Sequence, residues 1–262
     1  MPTDYTAPLQ DALFLLTEVL DAPSLARFER YAHVDADVIS AVLTEGAKWN
    51  EQVLAPINAD GDTHGSQLVD GRVVTPPGFR EAWDSYVEAG WPGLDLPEAV
   101  GGQALPLALQ VAFAEMVDGA NIAFGMLPLM LRAAGHLLLE HADEGTRATV
   151  VPRLASGEWA ATICISEPQA GSDVGRIRTT AAPADDGTYR LNGTKIWITY
   201  GDQDVTGQIV HMVLARTPDA APGTRGLSLF LVPKHRFEAD GTLAARNGAT
   251  VSRVEDKMGL KA

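Results

Sequence analysis

The spacing of apolar residues changes character once along the chain, near Glu158. Before that point apolar residues recur at three- and four-residue intervals. After it they come in short runs broken by Gly, Asp, Pro and Asn. A helical period will not settle as a strand, nor the reverse, so patterning alone sets the fold class. The chain reads as α+β: an N-terminal all-α helical domain over residues 1–157, then an antiparallel β-barrel-like domain over residues 158–262.

In the first part, "DADVISAVLTEGAKWNEQVLAPIN" sets Val38, Ile39, Val42, Leu43, Trp49, Val53 and Leu54 close to helical spacing. Asp35 or Asp37 can cap its start and Pro56 helps to end it. "PPGFREAWDSYVEAG" carries prolines at its start and Gly90 beyond its end. "LPLALQVAFAEMVDGAN" and "IAFGMLPLMLRAAGHLLLEHA" are apolar on most faces, as helices buried in a bundle are. "DEGTRATVVPRLASGEW" is a further short helix ending near Gly157. In the second part "WAATICIS", "IRTTAAP", "TYRLNGTKIWITY", "QIVHMVLAR" and "LSLFLVP" read as strands. No βαβ alternation and no glycine-rich strand-to-helix turn occurs, so a Rossmann site is not expected.

Composition narrows the function classes. With 46% hydrophobic and 21% charged residues the chain resembles an ordinary soluble protein. No uninterrupted apolar run reaches the roughly 18 residues of a membrane span, and the N-terminus lacks the basic start of a signal peptide. No membrane insertion is expected. A net charge of −14 opposes general nucleic-acid binding. The basic residues of the second part, such as Lys195, Arg216, Arg225 and Lys234, are isolated. One cysteine, Cys164, excludes an internal disulfide and fits a reducing compartment. The six histidines show no metal-ligand spacing, so no metal is expected.

The richest chemistry lies in "CISEPQAGSD", Cys164 to Asp173. Pro168, Ala170 and Gly171 allow a sharp turn and close backbone approach. Ser166 and Ser172 add hydroxyls, and the turn adds free N–H groups. Such a surface suits a flat heterocycle at one end and a phosphate at the other. In "TKIWITYG", Trp197 and Thr199 are two apart and are expected on one face of a strand. An indole can cover an aromatic ligand while a hydroxyl donates to it. On composition alone, a turn followed by an ordinary strand is the simpler reading.

The blocks "LDLPEAVGGQALP", "ICISEPQAGSD", "LNGTKIWITYG", and "MVLARTPD" with "GLSLFLVPK" resemble, in order and spacing, those of the acyl-CoA dehydrogenase family. "FLLTEVL" and "TKIWITYGDQDVTGQIVHMVLAR" resemble its long bacterial branch, which includes methylmercaptopropionyl-CoA dehydrogenase-like enzymes. The resemblance implies FAD as cofactor, with a C-terminal helical bundle absent from this chain. It implies that Ile165 and Ser166 lie at the pyrimidine end of the flavin, with Gly171 and Ser172 in the same signature. Trp197, Ile198 and Thr199 would line the flavin. Ser172 and, less specifically, Thr217 would approach the CoA moiety.

The implied reaction is α,β-dehydrogenation of an acyl-CoA to trans-2-enoyl-CoA, in fatty acid β-oxidation. The implied partners are an electron-transfer flavoprotein and further copies of the chain, as a dimer or tetramer. The implied location is the cytoplasm. The family's catalytic glutamate falls beyond Ala262, and Glu115, Glu140 and Glu167 lack its context. Two departures stand out: Ser166 replaces the usual Thr, and Tyr200 replaces a smaller or amide residue. A flavin oxidase on the same scaffold, or a non-catalytic flavoprotein or scaffold subunit, is the alternative.

Overall fold

The structure, a computed structural model, describes residues 4–262. The stretch read for a leader begins at residues 1–3, which lie outside the described residues. The helices are α1 (Leu9–Phe14), α2 (Ala36–Trp49), α3 (Asn58–His64), α4 (Phe79–Glu88), α5 (Leu107–His141) and α6 (Glu144–Ala155). Asp35, rather than Asp37, caps α2: its carboxylate accepts from Val38 N at 2.9 Å. Asp143 caps α6 in the same way through Thr146 N. The 35-residue α5 spans both apolar segments that read as separate helices, and Asn121 marks the break between them with φ −162° and ψ 90°. Asn121 Oδ1 accepts from Phe124 N at 3.1 Å, so it caps the second half of the helix from within.

That break sets Phe124 at the centre of the core. Its ring lies 5.8 to 6.1 Å from those of Trp49, Phe79, Trp83 and Tyr86. Trp91 stacks on Phe113 at 4.6 Å. By length and mean hydropathy α5 is also long and apolar enough to cross a bilayer, although Glu115, Asp118 and Arg132 interrupt its apolar runs; half of its most apolar window is buried inside the fold. It packs there on strand β3 (Trp159–Cys164) and on α6. Nor is this part wholly helical. Strands β1 (Gln67–Val69) and β2 (Arg72–Val74) form a hairpin, its turn made by Asp70 and Gly71 at φ 49° and 75°.

After α6, Gly157 takes φ 73° and β3 begins. The remaining strands are β4 (Thr180–Pro183), β5 (Tyr189–Asn192), β6 (Gln208–Ala215), β7 (Ser228–Pro233), β8 (His235–Phe237) and β9 (Leu243–Arg246). The central sheet has the order β3-β6-β7, with β4–β5 and β8–β9 as hairpins. This sheet is mixed rather than wholly antiparallel: β3 runs parallel to β6, and β6 antiparallel to β7. The long excursion between Cys164 and Gln208 explains it, since a parallel partner requires such a crossover. A second difference concerns "KIWITY". It is irregular, with Trp197 at φ 58° and Tyr200 at φ 50°, so Trp197 and Thr199 do not share a strand face. Left-handed residues interrupt the alternation on which a strand depends.

Candidate functional site

The loop after β3 is shaped by one buried carboxylate. Glu167 and Ala170 exchange backbone hydrogen bonds at 2.8 and 3.0 Å, with Pro168 and Gln169 between them in a tight turn. The Glu167 side chain, 4% exposed, accepts from Arg178 N (2.8 Å), Thr179 N (3.0 Å), the Thr179 hydroxyl, Gln169 Nε2 (2.6 Å) and Lys195 Nζ (2.8 Å). Burial opposes its ionisation, but the bonds from Lys195, Thr179 and Arg178 prevail and hold its pKa at about 2. Glu167 is therefore a permanent anion enclosed by donors, a structural pin rather than a base.

Lys195 carries that pin to the second block. Its ammonium also donates to Ile165 O at 3.0 Å, and Ile196 N donates to Ser166 O at 2.9 Å. Residues 164–167 and 195–196 are thus joined by three bonds, although nearly thirty residues separate them in sequence. Trp197, 54% exposed, Ile198 and Thr199 then line an open cleft of about 1850 Å³, together with Cys164, Pro168, His211 and the tail around Arg246 to Ala262. Ile165, Ser166, Gly171, Ser172 and Thr217 lie outside that lining. The first two sit at the junction just described. Gly171 and Ser172 are exposed on the loop, and Thr217 is half-buried after β6.

A second hub ties the two remaining loops together. Arg216 donates to the carbonyls of Ile177 (2.7 Å) and Gly175 (2.6 Å), beside Ser172, and to those of Ala221 (3.1 Å) and Gly223 (2.9 Å), beyond Thr217. Four of the five N–H groups of its guanidinium are engaged, and Lys195 is paired with Glu167 and Lys234 with Asp202. Hydroxyls and backbone N–H groups of this face remain available to an anion, alongside exposed cations such as Arg176 and Arg225. The N–H groups of Gly171, Ser172 and Asp173 donate to no backbone acceptor among the described residues. A Cβ added at Gly171 would meet nothing within 4 Å, so the room beside it is open to a ligand. These features fit a cofactor that presents a phosphate and a flat ring.

Sequence reasoning missed Lys195 and Arg216 as organisers, because an isolated cation gives no motif. The only available signal was the position of Lys195 two residues before Trp197. A third buried group faces the cleft from β6. His211 Nδ1 lies 2.7 Å from the Thr162 hydroxyl. Burial pulls its pKa down to about 4, Asp202 opposing and Lys234 adding to the shift. Burial also raises the Cys164 thiol, the hydroxyl of Thr162 and the charge of Lys195 acting against it.

Residues 47–158 match the acyl-CoA dehydrogenase N-terminal domain model and residues 162–262 the middle domain model. The chain is 40% identical over 258 residues to 3-methylmercaptopropionyl-CoA dehydrogenase of Ruegeria pomeroyi, covering 98% of this chain and 44% of that one. It is 35% identical over 262 residues to a butyryl-CoA dehydrogenase of Syntrophomonas wolfei, covering 98% and 43%. It spans less than half the length of these curated relatives. In fold it matches the acyl-CoA dehydrogenase of Bacillus anthracis complexed with FAD, with TM-score 0.67 at 24% identity over 86% of this chain and 34% of that one. It also matches butyryl-CoA dehydrogenase of Megasphaera elsdenii, with TM-score 0.62 at 22% identity over 75% and 48%. Two domain models in their family order, covering most of the chain, place it in the acyl-CoA dehydrogenase family.

Proposed function

We propose that this chain forms one wall of an FAD site in an enzyme that converts an acyl-CoA thioester to its trans-2-enoyl-CoA. One observation carries the reading: Glu167 and Lys195 fasten the hydroxyl-bearing loop to the segment that presents Trp197 and Thr199. Bound FAD would accept the hydride that leaves the substrate β-carbon. Ser166 and Ile165 N–H would face its pyrimidine end, and Thr199 would donate toward its central ring. Trp197 would cover the ring with its indole. Gly171, Ser172 and their free N–H groups would take the pyrophosphate side. Ser172 and Thr217, whose loops Arg216 binds together, would approach the CoA chain.

The base that removes the α-proton must lie within hydrogen-bond reach of that carbon. Glu167 is spent in its cage, so the base would come from the longer protein that the relatives represent. The reading assigns electrons to an electron-transfer flavoprotein, a dimeric or tetrameric assembly and a role in fatty acid β-oxidation. The cytoplasm, where the free, buried Cys164 stays reduced, completes it. The test is an absorbance spectrum of the full-length protein, then anaerobic mixing with a panel of acyl-CoAs. A flavin spectrum that bleaches with substrate is expected. A colourless protein that takes up no added FAD overturns the reading. Oxygen consumption with peroxide release would move it to an oxidase. Residues 1–262 alone should not dehydrogenate any acyl-CoA, and catalytic bleaching by them would make a carboxylate of this chain the base.

A further inference from the structure

Trp197 and Tyr200 both occupy left-handed backbone, at φ 58° and 50°. Large side chains rarely do so, and they persist there only where the surroundings over-determine the shape. Directly after Trp197, Gly201 N donates to Ile198 O at 3.1 Å, closing a turn with Thr199 and Tyr200 at its centre. The Trp197 indole is 54% exposed and has little packing of its own to orient it. Its direction must come from the backbone, and the backbone must be held from outside.

The restraints come from the helical domain. Tyr200 OH donates to Ala123 O at 2.9 Å, two residues past the break in α5. Asp204 Oδ1 accepts from Thr75 N at 3.0 Å and from the Thr75 hydroxyl at 2.7 Å, just beyond β2. Asp202 accepts from Val73 N at 3.3 Å and pairs with Lys234. On the near side, Ile196 N is held by Ser166 O. Trp197 therefore sits between one anchor in the β domain and three in the helical domain.

We propose that Tyr200, Asp204 and Thr75 are positioning residues, which hold the turn Ile198–Gly201 in its strained shape and so aim Trp197 and Thr199 at the cofactor. Tyr200 is the departure from the family pattern, and its phenol supplies a reach to α5 that a smaller side chain would lack. The inference rests on the FAD reading, but it has a readout that does not. Full-length protein carrying Tyr200→Phe, Asp204→Ala or Thr75→Val is titrated with FAD. The near-UV signal of Trp197 is isolated as the difference from Trp197→Phe. Each variant should bind FAD about three- to tenfold more weakly, the size of one lost hydrogen bond. Each should alter the Trp197 signal, while Thr75→Ser restores both. Tyr200→Phe keeps the ring and its packing, so it is the variant least prone to misfold. A fall in Tm with FAD affinity and the Trp197 signal both unchanged overturns the proposal. If wild-type protein binds no FAD, the cofactor reading fails, and an unaltered Trp197 signal in Tyr200→Phe still overturns the clamp.

Discussion

The aromatic core of the helical domain and the wall around Trp197 use the same residue types to opposite ends. In the core, Phe124, Trp83, Tyr86 and Phe79 are 1 to 2% exposed and lie ring against ring. Their backbone is regular helix, except where Asn121 breaks α5 and caps the next turn itself. At the wall, Trp197 is more than half exposed on left-handed backbone, and the hydroxyl-bearing loop joined to its segment carries N–H groups with no backbone acceptor among the described residues. Apolar burial stabilises the first region. The second is held by hydrogen bonds and ion pairs around its rim, which leaves its face free for a ligand.

The largest expected effect separates the two regions. Phe124→Ala should destabilise the protein by about 4 kcal/mol, since it empties the centre of a packed aromatic cluster. Trp197→Ala should change stability by less than about 1 kcal/mol, as exposed positions do, yet lower FAD affinity sharply. Chemical denaturation beside FAD titration reads both, and equal stability losses would break the contrast.

The rim should respond to charge instead. Glu167→Gln removes the partner of a nearly buried Lys195, at about 3 kcal/mol near neutral pH. The folded pKa of about 2 lies below the ordinary value of 4.5, so the stability Glu167 adds is complete above pH 4.5. It is lost as pH falls from there toward 2. Urea midpoints across that window should fall in wild type more steeply than in the variant.

His211 acts in a separate window. Its folded pKa of about 4 lies below the ordinary 6.5, so the unfolded chain binds the extra proton between those values. Stability should fall by about 2 kcal/mol between pH 6.5 and 5, and His211→Gln should remove that slope. An unchanged slope would mean that His211 is protonated in the fold. The smallest effect on stability belongs to Ser166→Ala, whose hydroxyl holds no structural bond among the described residues. Stability should stay constant while the midpoint potential of the FAD-loaded protein drops by the equivalent of about 1–3 kcal/mol. A constant potential would make Ser166 a plain turn residue.

Much of the fold was legible because periodicity is a local property. The spacing of Ile39, Leu43 and Ala47 announces α2, and Asp35 and Asp143 cap helices through neighbours three residues away. The runs at β3, β6 and β7 announce strands for the same reason. Pairing is not local: nothing in "WAATICIS" says that it will lie parallel to "QIVHMVLA" rather than antiparallel. "KIWITY" fails as a strand because composition favours an extended chain, whereas the actual backbone answers to Ser166, Glu167 and Ala123.

The sequence by itself determined the change from helix to strand near Glu158, the helix ends, the acidic surface and the two blocks that carry the family resemblance. The tertiary structure alone decided that Lys195 would find Glu167, that Arg216 would spend its guanidinium on four carbonyls, and that Tyr200 would reach the break in α5. The physical reason is range. Period, propensity and capping act within one or two turns of chain, and residues of the right type suffice for them. Ion pairs, shared carbonyls and strained turns require groups from distant segments to meet within about 3 Å, which only the packed chain arranges.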